Sequence, residues 1–337
     1  MKEYNVAVLG ATGAVGQQMM KVLEERNFPV KRLLPLASAR SAGKQLAFRG
    51  EALSIEEATE ASFAGMDIVL GAVSNEMAKR FAPAIQDSGA VFIDNSSAFR
   101  LREDVPLVVP EINPEDAFRH RGIIANPNCS TIITMVALGG IRRLTDIDKM
   151  VACTYQAVSG AGQQGIAELQ DQLRAVTLGE PVQPHVFPCQ IVSNVIPQIG
   201  SECDNGYTTE EMKMQNEGRK IMHLPELQVC CTCVRVPVMR SHSIAVQLVT
   251  RDPISVEDAR QAVAAAPGCV LTDDLDGRNY PTPLDTSDQD LVYVGRIRRD
   301  LISGDHGLAL WCCGDQVRKG AATNAVQIAE LLARGQA

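Results

Sequence analysis

Cys129 is the residue in this chain best placed to do chemistry. It follows Asn126-Pro127-Asn128, a turn-forming string, and precedes a stretch in which Ile132, Ile133, Val136, Ala137 and Ile141 recur near the helical period. A short strand at residues 122–125, a turn and a helix over residues 130–144 put the thiol at a helix N-terminus. There the unpaired backbone N–H groups and the positive end of the macrodipole favour the thiolate. The same N–H groups can hold an oxyanion formed when the sulfur attacks a carbonyl. The competing reading is a small buried cysteine packed like an alanine. Of the five histidines, His242 is the candidate base, at the end of a strand-like run that also carries Arg235. It could take a thiol proton and return one later, with a merely packed histidine as the alternative.

A second constellation lies at the start of the chain. An apolar run at residues 6–9 leads into Gly10-Ala11-Thr12-Gly13-Ala14-Val15-Gly16 and then a helical stretch over residues 17–26. Glycines so spaced let the turn bend, let backbone approach a pyrophosphate and let the helix pack on the strand, with the phosphates at the helix N-terminus. The spacing is a variant of the usual dinucleotide fingerprint, and its strand-turn-helix setting gives it weight. The next strand, residues 30–37, ends in Ser38-Ala39-Arg40-Ser41-Ala42-Gly43-Lys44. An NAD site places an acid there for the ribose 2′-hydroxyl, whereas hydroxyls and cations without an acid favour NADP. A solvated loop with ordinary positive charges is the alternative.

These groups need a scaffold to position them. Further apolar runs at residues 68–73, 91–94 and 123–125 alternate with helical stretches such as residues 76–88, which predicts a Rossmann-like α/β domain with a doubly wound parallel sheet. Ser74, Asn95-Ser96-Ser97, Arg100 and the Cys129 turn then follow strand C-termini, where such sheets bind ligands. A second, α+β region opens with a strand at residues 150–156, the glycine-rich turn at residues 157–162 and a helix at residues 164–178. Residues 181–206 read as loop and residues 209–222 as an exposed helix. Residues 227–238, 243–251 and 291–298 read as strands of a mixed or antiparallel sheet. The expected division is a cofactor domain at residues 1–128, a second domain at residues 129–314, and a C-terminal helical segment, about residues 315–337, packing back on the first.

Composition narrows the function classes. At 337 residues and 45% hydrophobic content the chain can build two ordinary cores, and a net charge of −8 argues against a nucleic-acid surface. No signal-type segment precedes the first strand, and no apolar run nears the ~20 residues that span a bilayer, so a cytoplasmic protein without a membrane partner is expected. In that compartment the ten cysteines stay reduced. Cys230-Cys231-Thr232-Cys233 and Cys312-Cys313 lie in β-like runs whose alternation sends neighbours to opposite faces, so buried thiols are expected there and not a metal site.

Together these strings resemble the bacterial aspartate-β-semialdehyde dehydrogenase family. The resemblance rests on Gly-Ala-Thr-Gly-Ala-Val-Gly at residues 10–16, Asn-Pro-Asn-Cys-Ser-Thr at 126–131 and Tyr-Gln-Ala-Val-Ser-Gly-Ala-Gly at 155–162. Cys-Val-Arg-Val-Pro-Val at 233–238 with His242, and Lys-Gly-Ala-Ala at 319–322, extend it over essentially the whole chain. It implies NADPH-dependent reductive dephosphorylation of L-aspartyl-4-phosphate to aspartate semialdehyde through a cysteine thioester. That reaction serves biosynthesis of lysine by way of diaminopimelate, and of threonine, methionine and isoleucine. The resemblance implies Cys129 as nucleophile, His242 as acid/base and Gln156 as the group orienting the acyl carbon. It further implies that Arg235 and Glu210 meet the substrate's carboxylate and ammonium, and that Arg100 and Lys213 hold phosphate. For the cofactor it implies Gly10, Thr12, Gly13, Ala14, Val15, Gly16, Ser38, Arg40, Ser41, Ser159, Gly160 and Gln316, with no metal. A second domain that also dimerises is implied, in a homodimer or homotetramer. Thr323 departs from the pattern, standing where many relatives carry a large aromatic residue.

Rival classes make different demands. An N-acyl-glutamyl-phosphate reductase is expected to carry glycine before its cysteine, where Asn128 stands, and its substrate offers no ammonium to Glu210. A phosphate-independent aldehyde dehydrogenase has no use for Arg100 and Lys213 together. A cysteine hydrolase or acyltransferase leaves the glycine turn without a purpose beyond packing. A non-catalytic NADP sensor tolerates loss of the thiol.

Overall fold

Short apolar runs separated by amphipathic stretches fold, in the first part of the chain, into β1 (Tyr4–Leu9), α1 (Ala14–Glu25), β2 (Val30–Ala37), β3 (Gln45–Phe48), β4 (Glu51–Ser54), β5 (Glu56–Glu57), β6 (Ile68–Gly71), α2 (Asn75–Asp87), β7 (Val91–Asp94) and β8 (Ile123–Ala125). The structure, a computed structural model, describes residues 2–335. Met1, Gln336 and Ala337, which end the segments expected at residues 1–128 and 315–337, lie outside the described residues. The chain divides into two units, one running to Asn128 and resuming at Ala321, the other Cys129–Gly320.

In the first unit a six-stranded sheet has the order β5-β2-β1-β6-β7-β8, every pair parallel. Parallel strands joined by crossover helices are covered on both faces, which is why β6 and most of β1 are buried along their length. The closing helix, Thr323–Arg334, packs against α1 and the turn Pro114–Arg119, and Arg26 forks onto Glu330 at 2.7 and 2.8 Å. Thr323, at the position of the departure, is fully buried. The hairpin β3–β4 was not visible in the sequence, because a pair of four-residue strands is too short to show alternation.

The second unit contains α3 (Cys129–Arg142), β9 (Ile147–Gln156), α4 (Gly162–Leu178), α5 (Thr209–Ile221), β10 (Gln228–Arg235), β11 (His242–Thr250), α6 (Val256–Ala264), β12 (Cys269–Leu271), α7 (Pro283–Thr286), β13 (Val292–Arg299) and β14 (Gly307–Gly314). Its sheet is mixed, in the order β10-β9-β11-β14-β13-β12. Helices α3, α5 and α6 pack together with strands of this sheet.

Helix α3 buries more than the apolar residues at the helical period, for every residue from Ser130 to Ile141 is buried, as in a helix enclosed on all sides. Two expectations are corrected here. Helix α5 is not an exposed helix: Glu210, Glu211 and Glu217 are buried. Glu211 is the reason, since its carboxylate accepts the Thr208 N–H at 2.7 Å as a capping box and the Cys233 N–H at 3.0 Å, tying α5 to β10. Finally, His242 does not end a strand. The chain leaves the sheet after Arg235, and His242 opens β11.

Candidate active site

The glycine turn of the first unit is a cradle that side chains would fill. Gly10 has φ +90°, and a Cβ there would lie 2.3 Å from the Ala72 carbonyl oxygen; one on Gly16 would lie 2.2 Å from the Gly10 oxygen. A Cβ on Gly13 would approach nothing nearer than 3.4 Å. Gly13 caps α1 without a side-chain hydrogen bond, and the first turn carries no acid, so the leading N–H groups suit an anion. Thr12, Ala14 and Val15 belong to the same turn, and β2 ends in the short turn Ala39–Ser41, with Ser38 and Arg40 exposed and Ser41 buried. These residues fit a dinucleotide.

Also in the first unit, the end of β7 anchors Arg100. Its Nη2 donates to the Asn95 carbonyl at 2.9 Å. Burial raises the Asp94 carboxyl above its usual range, while hydrogen bonds from the Ser96 side chain and N–H and the Arg100 charge oppose that shift. Asn126, entering the cysteine turn, has its N–H on the Asp94 carbonyl at 2.7 Å, and its side-chain oxygen accepts from Asn324 Nδ2 at 2.7 Å.

In the second unit, sheet register gathers the remaining groups. Gln156 ends β9, Arg235 ends β10 directly beside it, and His242 begins the antiparallel β11. Gln156 Nε2 donates to Glu210 Oε1 at 3.2 Å and lies 3.4 Å from His242 Nε2. Lys213 Nζ donates to Glu210 Oε2 at 2.8 Å, the pairing that three-residue spacing on a helix allows. Arg235 Nη1 donates to the Ala157 carbonyl at 2.7 Å. Burial lowers the Arg235 pKa, opposed by the negative charges of Cys129 and Glu210, so the guanidinium and the sulfur sense one another.

His242 is fully buried, and its Nδ1 accepts the Ala157 N–H at 3.1 Å, which leaves the proton of the neutral ring on Nε2. Burial pushes its pKa down to about 3, the nearby Arg235 charge adds to the effect, and Glu210 opposes it. Cys129 is the first residue of α3 and half-buried. Gly320 closes over it, since a Cβ there would sit 2.9 Å from the Cys129 Cβ.

Ser159 and Gln316 meet, the Gln316 amide donating to the Ser159 hydroxyl, and Gln316 Oε1 accepts the Ser241 N–H at 2.9 Å. Gly160 lies against both side chains: a Cβ there would come 2.6 Å from Arg235 Nη1 and 3.4 Å from His242 Nε2. Ser241 adopts φ +72°, unusual for serine, and so turns His242 inward. Buried Asp315 helps to hold that bend, accepting the Asp288 N–H at 2.7 Å and pairing with Arg240. Sequence reading missed the roles of Ser241 and Asp315, which act through long-range bonds, and of Glu211, whose capping-box spacing after Thr208 marks a helix start but not its bond to β10. It also passed over Lys319, fully buried beside Gly320, whose only signal is its place before Gly-Ala-Ala. Of the cysteines expected to be buried, Cys231, Cys233, Cys312 and Cys313 are, the first two with their sulfurs 3.7 Å apart on one face of β10, but Cys230 is exposed.

Comparison with known proteins follows the same division. The family model described as semialdehyde dehydrogenase, NAD binding domain, matches residues 5–120, and the semialdehyde dehydrogenase dimerisation domain matches residues 138–319. The chain is 48% identical over 336 residues to an aspartate-semialdehyde dehydrogenase of Bacillus subtilis, covering 97% of each chain. It is 50% identical over 327 residues to one of Synechocystis, covering 97% of this chain and 96% of the relative. Among solved structures, aspartate semialdehyde dehydrogenase II of Vibrio cholerae, complexed with ASA, is similar with a TM-score of 0.96 at 46% identity, covering 100% of each chain.

Proposed function

Because the chain belongs to the aspartate-semialdehyde dehydrogenase family, we propose that it reduces L-aspartyl-4-phosphate to aspartate semialdehyde and phosphate in the cytoplasm, through a thioester on Cys129. The product feeds lysine and diaminopimelate, threonine, methionine and isoleucine. The observation that carries the residue assignment is the meeting of Gln156, Arg235, Glu210 and His242 at one end of a sheet, in a unit whose enclosed helix begins at Cys129.

Arg235 takes the substrate α-carboxylate with its planar fork, and Glu210 takes the ammonium. The ammonium competes with Lys213 for Glu210, which frees Lys213 for the phosphate; Arg100, in the first unit, is also assigned to phosphate. Cys129 attacks the acyl carbon as a thiolate, favoured by the α3 N-terminus and by Arg235; the C–S bond forms, the C–O bond to phosphate breaks, and phosphate departs with its electron pair. Residues 10–16 and 38–41 of the first unit would hold NADPH, with Ser159, Gly160 and Gln316 of the second also assigned to it, and the bound cofactor would supply the hydride for reduction of the thioester. Gln156 orients the carbonyl. His242 acts as the acid/base from Nε2, which donates toward the oxygen that gains charge in each step. When the C–S bond then breaks, Cys129 leaves as the thiolate and the semialdehyde is released.

The second unit also suits association of copies, as a homodimer or homotetramer. Val151 and Tyr155 of its sheet are exposed; the Tyr155 ring lies 5.4 Å from that of Trp311, beside an apolar cavity of about 360 Å³ lined partly by Tyr280 and Pro281. Among the described residues no helix is long and apolar enough to cross a membrane.

The deciding assay is reduction of NADP by aspartate semialdehyde with and without phosphate. Reduction that needs phosphate is expected; reduction indifferent to phosphate, or none at all, refutes the reaction.

A further inference from the structure

Arg235 is gripped by a segment that the reaction does not use. The Ile196 and Arg235 backbones exchange two hydrogen bonds, at 2.9 and 2.8 Å, and the buried ring of Phe187 lies 5.9 Å from the Arg235 guanidinium. Residues 181–196 contain no helix or strand, yet they are fastened to α4 by two buried side chains. The Glu168 carboxylate accepts the N–H groups of His185 at 2.9 Å, Val186, and Phe187 at 3.4 Å. Gln172 Oε1 accepts those of Ile191 and Val192 at 2.9 and 3.0 Å, and Gln172 Nε2 donates to Glu168 Oε1 at 3.0 Å. A buried carboxylate and amide are costly unless every partner is supplied, and here the partners are the backbone of an irregular strap.

What the strap delivers is an aromatic face. A guanidinium binds a carboxylate with two parallel bonds only in one plane. Arg235 already spends Nη1 on the Ala157 carbonyl, and the Phe187 ring restricts rotation about the rest of the side chain. We infer that Phe187, on a strap pinned by Glu168 and Gln172, is a positioning residue that fixes the Arg235 fork and so sets affinity for the carboxylate of the amino-acid substrate. This rests on the proposed role of Arg235.

The test uses the full-length enzyme in saturation series for aspartate semialdehyde, NADP and phosphate. Phe187→Leu raises the semialdehyde KM about fivefold, the size of one cation–π contact, while kcat and the other two KM values stay within about twofold. Phe187→Tyr keeps the ring and the wild-type KM. Glu168→Gln, which puts a donor where the strap needs an acceptor, raises the same KM alone. Adding Phe187→Leu to Arg235→Ala has no further effect, because Phe187 acts through Arg235. An unchanged semialdehyde KM in Phe187→Leu, a rise shared by all three ligands, or an additive double variant overturns the inference. If Arg235→Ala itself leaves the semialdehyde KM unchanged, the carboxylate role of Arg235 fails first and the inference falls with it.

Discussion

Consecutive residues, 10–16, make the proposed phosphate cradle of the first unit, whereas the proposed reacting groups of the second come from α3, β9, α5, β10 and β11, spread between Cys129 and His242. The cradle depends on contacts a few residues long, such as the Gly13 N–H on the Gly10 carbonyl at 3.0 Å. The reacting cluster depends on register: Arg235 faces the site only because it pairs with Gln156, and a slip of one residue would turn it to the opposite face of the sheet. A local device can be recognised and altered by itself. A register-built device fails when any one of its elements shifts.

The largest effect separates the two regions. Cys129→Ser replaces a thiolate with a weakly acidic hydroxyl, so turnover falls by on the order of 10⁴-fold or more. NADPH binding, measured by fluorescence titration, stays near wild type because the cradle at residues 10–16 is untouched. If binding falls together with turnover, the cofactor and acyl-transfer devices are not separable.

The same contrast explains what could be read in advance. Strands β2, β7 and β8 fell at their expected residues because each is a short apolar run bounded by turn residues. Strand β14 was marked only as a β-like run around Cys312-Cys313, without bounds: Leu308-Ala309-Leu310-Trp311-Cys312-Cys313 is buried almost throughout, so burial gives its ends no pattern. At the site, Cys129, Gln156, Arg235 and His242 could be picked from their strings, but Glu211 and Asp315 could not. Each binds a backbone N–H far away in sequence, and the local pattern does not show that bond, although the spacing of Glu211 after Thr208 does mark a helix start.

A smaller effect probes the cofactor region by itself. Arg40, exposed after β2, is proposed to meet the NADP 2′-phosphate. Arg40→Ala should weaken NADP by ~1.5–3 kcal/mol, the worth of a charge-assisted contact, and leave NAD almost unchanged. KM values for both cofactors decide it. Equal changes would make Arg40 an ordinary surface residue, and the absence of an acid in residues 38–44 would carry no meaning for cofactor choice.

The smallest effect is on stability, and it again sets the regions apart, since residues 10–16 contain no titratable side chain while the reacting cluster is built around a buried imidazole. Burial holds the His242 pKa down to about 3 in the folded chain, against ~6.5 when unfolded. Between these values the unfolded chain binds the extra proton. The contribution of a neutral His242 is therefore complete above about pH 6.5 and is lost as pH falls toward the folded value, at no more than ~1.4 kcal/mol per pH unit. His242→Gln keeps a polar side chain but removes the titration. Urea unfolding of both proteins at several pH values between about 5 and 7.5 should show the wild type losing stability faster than the variant as the solution is acidified. Parallel curves would mean that the imidazole is not held neutral by burial, and Nε2 could then not be assigned as the lone proton donor of the resting ring.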